Sequence, residues 1–66
     1  MNEAERPAIG SVWKHHSGRL YTVKMYTNLD TTRPEKYPVT IVYEGANGKL
    51  WSRPLSDWHR SMTEAT

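Results

Sequence analysis

Sixty-six residues, a formal charge of +2 and no cysteine set narrow limits. They allow one domain, near the lower size at which a core holds without help, and exclude disulfides and thiolate zinc sites as staples. No run of about 18 apolar residues is present to span a bilayer. The acidic start Met1-Asn2-Glu3-Ala4-Glu5-Arg6-Pro7 lacks the apolar stretch of a secretory signal, so the expected location is the cytoplasm, with no membrane partner.

In chain order, residues 1–9 read as a flexible tail, 10–62 as a single small domain and 63–66 as a second flexible tail. The first strand is expected over Val12–His16, closed by a Ser17-Gly18 turn in which Gly18 supplies a positive φ. The second runs from about Arg19 to Asn28, with Tyr21, Val23 and Met25 on one face and Thr22 and Lys24 on the other. Asp30–Lys36 is a polar surface loop in which Pro34 and Pro38 discourage helix.

The stretch Val39–Trp58 organises the rest. Val39–Glu44 is the densest β-forming run, and Val42, opposite Val39, Ile41 and Tyr43, marks it as central and covered on both faces. Asn47-Gly48 predicts a tight hairpin with positive φ at both residues, followed by a strand over Lys49–Arg53. Pro54 ends that ladder, and Ser56 stands where a helix cap belongs, with Asp57 in the first turn of a short helix reaching Met62. The fold class is mainly all-β: a small SH3-like barrel or a meander of four to five strands with a short C-terminal helical turn.

Two motifs resemble a family of short bacterial and phage proteins of unknown function. Its opening pattern, Y-x-H-Y-K-G-x-x-Y-x-V, is matched by Trp13-Lys14-His15-His16-Ser17-Gly18-Arg19-Leu20-Tyr21-Thr22-Val23. Its close, L-W-x-R-P-L-x-x-F, is matched by Leu50-Trp51-Ser52-Arg53-Pro54-Leu55-Ser56-Asp57-Trp58. Trp13 and Trp58 stand in for other aromatics, His16-Ser17 replaces a Tyr-Lys pair, and Asp30–Tyr37 departs from the pattern. The resemblance covers Gly10 to Trp58. It implies a β-rich accessory protein in a bacterial host cell, of bacterial or phage origin, and carries no activity with it.

Neither catalysis nor a metal centre is expected. On a regular strand His15 and His16 face opposite ways, and Asp57 and His59 do not share a helix face, so no three ligands converge. Ser17, Ser52, Ser56 and Ser61 lie in no nucleophile motif, and Gly45–Gly48 is explained as a turn. No cofactor is expected either.

The constellation that remains is aromatic and basic. Alternation puts Trp51 and Arg53 on one face of their strand, and Trp13 and His15 on one face of theirs. If those strands adjoin, Trp13, His15, Trp51 and Arg53 form a ligand-binding patch able to stack a base and hold a phosphate. The competing reading puts both tryptophans in the core, with the Arg53 stem packed on one of them. Lys14, Arg19, Lys24 and Lys49 read as solvated charges on the hairpins. The expected function is a non-catalytic module for an anionic small molecule or nucleic acid: a nucleotide, a nucleotide-derived signal or a single strand. The alternative is a protein–protein module that inhibits or adapts a host protein by strand addition or aromatic contacts. A homo-oligomer fits either.

Overall fold

A computed structural model of the chain describes residues 6–65. Its elements are β1 (Val12–His15), β2 (Leu20–Thr27), β3 (Thr40–Gly45), β4 (Leu50–Pro54), α1 (Leu55–Ser61) and β5 (Met62–Glu64). The strands form one antiparallel sheet in the order β4-β3-β2-β1-β5. Four follow one another as a meander, and α1 then returns the chain to the far side of β1. The sheet is not closed into a barrel, so β4 and β5 are its edges.

All the packing is on one face. Trp13, Val23, Ile41, Tyr43, Trp58 and Met62 form the buried core, with Tyr21, Tyr26 and Leu55 packed against it. The helix contributes Leu55 and Trp58, and Met62 follows one turn on, the spacing of an apolar helical stripe. Trp58 is fully buried and meets Tyr43 and Trp13 edge-on, with ring centroids 5.0 and 5.7 Å apart. Such T-shaped contacts suit the aromatic quadrupole. The opposite face, with Leu20, Met25 and Leu50 exposed, is covered by no element among the described residues.

The two tight hairpins close in the same way. His15 donates to the Arg19 carbonyl (2.8 Å) and Gly18 donates to that of His15 (2.8 Å); Gly45 donates to Lys49 (3.0 Å) and Gly48 to Gly45 (3.0 Å). Gly18 and Gly48 have φ of 96° and 81°. The pattern is a three-residue loop ending in a left-handed glycine. Asn47 is therefore not in the left-handed region, contrary to the expected two-residue turn; its Oδ1 accepts from the Lys49 N–H at 3.1 Å instead.

A bulge corrects the face assignment of β2. Val23 pairs with Tyr43 but Met25 pairs with Val42, so Lys24 is an extra residue. One inserted residue reverses the parity of everything after it. Met25 turns out to solvent at 51% exposure, and Tyr26 takes the inner position opposite Ile41. There its hydroxyl donates to the Pro7 carbonyl.

Four other expectations change. The strand with two neighbours on each side is β2, not β3. The helix starts at Leu55 after Pro54, with no side-chain cap, so Ser56 caps nothing. Thr63 and Glu64 do not fray: Trp13 pairs with Glu64, Lys14 with Thr63 and His15 with Met62, and Ala65 donates to the Val12 carbonyl at 2.9 Å. At the other end, Pro7 is buried and Gly10 donates to the Val23 carbonyl at 2.8 Å, so the described part of the N-terminal tail is docked. The rest of the expected tail, residues 1–5, and Thr66 lie outside the described residues.

Candidate functional site

The register shows where each candidate residue stands. Trp51 pairs with Tyr43 and Arg53 with Ile41, which puts both on the inner face of β4. Trp13 and His15 lie on the inner face of β1. The expected contact between their strands does not occur, because β3 and β2 lie between β4 and β1. Trp13 is core, at 7% exposure, edge-on to Trp58 and to His59. Its indole N–H donates to Ser11 Oγ at 2.9 Å. For Trp13 the core reading holds.

The other three candidates look onto a shared surface. Trp51 is 49% exposed, because an edge strand has no outer neighbour to cover so large a ring. Arg53 and His15 are half-buried. Between them run two tyrosines: Tyr21 is edge-on to Tyr43 at 5.2 Å, and His15 is edge-on to Tyr21 at 6.4 Å. With Tyr43 on Trp58, a continuous aromatic series leads from the β1 turn into the core.

A cavity of about 350 Å³ opens at the end of this face, lined by Trp51, Tyr21, Arg19, Gly45 and the adjoining turn. Gly45 makes the room. It stands directly opposite Tyr21, and its missing side chain lets the tyrosine ring lie over it as a wall of the hollow. Arg19 and Tyr21 were not singled out by sequence reading as ligand residues, although both sit in the opening motif beside Gly18. The periodicity of β2 already placed Tyr21 on an inner face. A hollow of about 480 Å³ lies in the β2–β3 loop among Asn28–Arg33 and Tyr37, but it has no aromatic pair held on strands.

Electrostatics ties the cationic groups together. Partial desolvation lowers the His15 pKa, and the positive charges of His16, Arg53 and Arg19 lower it further. The imidazole and both guanidinium groups therefore share one positive field. The His15 tautomer is set locally: the Ser17 backbone N–H donates to Nδ1 at 3.1 Å, so the ring proton is on Nε2 in the neutral form. Ser17 Oγ lies 2.9 Å from the same nitrogen. His16 has left the strand at the turn, and its ring tilts onto His15 with centroids 4.1 Å apart. The opposite-faces expectation for this pair is thus corrected, yet no group of three potential metal ligands exists among the described residues.

Lys24 pairs with Glu44 at 3.5 Å on the surface, a contact worth little in water. No described helix is long and apolar enough to cross a membrane. No family model, curated protein or solved structure matches the chain.

Proposed function

We propose that this protein is a non-catalytic binding module for an anionic ligand that carries a planar ring, such as a nucleotide, a nucleotide-derived signal or a short single strand. The observation that carries this reading is the cavity walled by Trp51 and Tyr21 with Arg19 at its rim. The aromatic faces supply stacking surface, and a guanidinium presents a planar fork of donors to a phosphate. The hollow is within the usual size range for small-ligand sites. Arg53 and His15 extend the positive field along the same face. The motif resemblance supports an accessory role in bacterial or phage biology.

A second reading, a protein–protein module acting by strand addition on a host protein, is favoured by one observation: β4 is an unpaired edge bearing exposed Leu50 and Trp51. Thermal melts against a panel of mono-, di- and cyclic nucleotides and short oligonucleotides distinguish the two. On the first reading a panel member raises the midpoint, and Trp51→Ala weakens it about tenfold, the loss of one base stack. No shift for the wild type across the panel overturns the ligand reading.

A further inference from the structure

We infer that β4 is a self-association edge, on which two copies of this chain pair antiparallel about Ser52 to join their sheets. The starting point is which backbone groups of β4 are already used. Gly45 donates to Lys49, and Leu55 donates to Val39 at 2.9 Å. Hydrogen-bonded pairs alternate along an antiparallel ladder. Trp51 and Arg53 therefore turn their backbone groups toward β3, while Leu50, Ser52 and Pro54 turn theirs outward. Of the outward groups only Pro54 lacks an N–H.

A two-fold axis at Ser52 uses this edge fully. Ser52 of each copy exchanges N–H and C=O with the partner's Ser52, and each Leu50 N–H meets the partner's Pro54 carbonyl. Trp51 then stands opposite the partner's Arg53, at a non-hydrogen-bonded pair where side chains approach most closely. That is a cation–π pair, made twice. On the outer face Leu50 meets the partner's Pro54, apolar against apolar. An exposed Leu50 (61%) and Trp51 (49%) on an edge strand both gain cover.

Other registers fail on charge or overlap. An axis at Trp51 places Arg53 opposite the partner's Lys49, and an axis at Arg53 places the two Arg53 side chains opposite each other. Like charges directly across a ladder are destabilising. An axis at Leu50, the first residue of β4, slides the partner strand onto the turn. The opposite edge, β5, has only three residues, and very short strands are how sheets blunt an edge. In the Ser52 register the partner's Arg53 lies against Trp51, the same ring that walls the cavity. The pairing itself rests on the register alone and does not depend on any ligand.

The test is light scattering on the ligand-free chain across concentration, with two variants. The wild type is expected to move from a mass of 7.7 kDa toward twice that value. A mass that stays at one chain up to about 1 mM, where association is worth only about 4 kcal/mol, overturns the proposal. Ser52→Pro removes an outward N–H that the fold does not use, so it is expected to stay folded and monomeric; a folded variant that still dimerises overturns the proposal. Ser52→Cys, in a chain with no other cysteine, supplies the check if the proline variant does not fold. Paired about a two-fold, the two Cα atoms lie about 5.5 Å apart, within disulfide range. Oxidation should give a covalent dimer for Ser52→Cys and none for Thr63→Cys on β5. Equal cross-linking of the two, or none for Ser52→Cys, overturns the β4 pairing.

Discussion

Tyr21 lies over Gly45, with its Cε1 3.1 Å from where a Cβ on that glycine would sit. The ring replaces the side chain that Gly45 lacks and forms one wall of the cavity. It has little freedom to withdraw, because its edge contacts with Tyr43 and His15 hold it from behind. Gly45→Ala should therefore overpack this corner and destabilise by about 1 kcal/mol, at the low end of the cost of inserting a methyl into filled space. Urea titration checks this, and an unchanged or raised midpoint would mean that Tyr21 yields freely.

Trp58 is the residue on which the inner face depends. It is fully buried, and its Nε1 has no hydrogen-bond partner among the described residues. Trp58→Ala removes the ring that Tyr43 and Trp13 both pack on, a loss of about 3–5 kcal/mol. A domain of this size has about 3–10 kcal/mol in total, so that variant should be largely unfolded by circular dichroism. Trp58→Phe loses volume but also relieves a buried donor whose desolvation costs about 1–3 kcal/mol. It should stay folded and cost less than half as much as the alanine variant.

Tyr26 fastens the N-terminal segment to the sheet through its bond to the Pro7 carbonyl and its contact with Arg6, 5.8 Å from the ring centre. Tyr26→Phe should cost about 1 kcal/mol, the net worth of one hydrogen bond. Hydrogen exchange at the Gly10 and Ser11 amides should quicken. Met25→Thr, one residue away but outside because of the bulge, should change stability by no more than about 0.5 kcal/mol. Reversal of that order would mean that β2 keeps unbroken alternation.

The contrast between Met25 and Tyr26 also shows what the sequence can and cannot reveal. Strand existence was legible from alternation and turn residues, because each strand buries one face and each of the two tight hairpins carries its glycine. The bulge was not, since an inserted Lys24 looks like an ordinary polar position in a half-buried strand. Nor was β5, whose three residues gain their pairing only once α1 has carried the chain back to β1. The closing motif divides in the same way. Pro54, Leu55 and Trp58 are folding residues that end a strand, start a helix and fill the core. Trp51 and Arg53 lie on the inner face of an edge strand, and only strand order could place them away from β1. Within the candidate site, Trp51 was visible as a large ring beside an arginine, whereas the cavity depends on the pairing of Tyr21 with Gly45, a relation across the sheet that no local pattern carries.

His15 gives the protein a defined response to acid. Its folded-state pKa lies below its ordinary value of 6.5, through desolvation first and then the charges of His16, Arg53 and Arg19. Between the lowered value and 6.5 the unfolded chain binds more protons than the folded one, so stability rises with pH across that window. The stabilising effect is fully present above 6.5 and is lost as pH falls through the window to the folded pKa. Protonation also ends acceptance by Nδ1 of the Ser17 N–H. His15→Gln should flatten this part of the stability profile, and Arg53→Ala should move the His15 titration, followed by its imidazole proton resonances, upward toward 6.5. A bound anion acts in the same direction by opposing the arginine charges. Ligand affinity should therefore fall as pH rises through the range separating the free and bound His15 titrations, with proton uptake on binding. A His15 titration that does not respond to Arg53→Ala would break the electrostatic link between β1 and β4 on which the shared site depends.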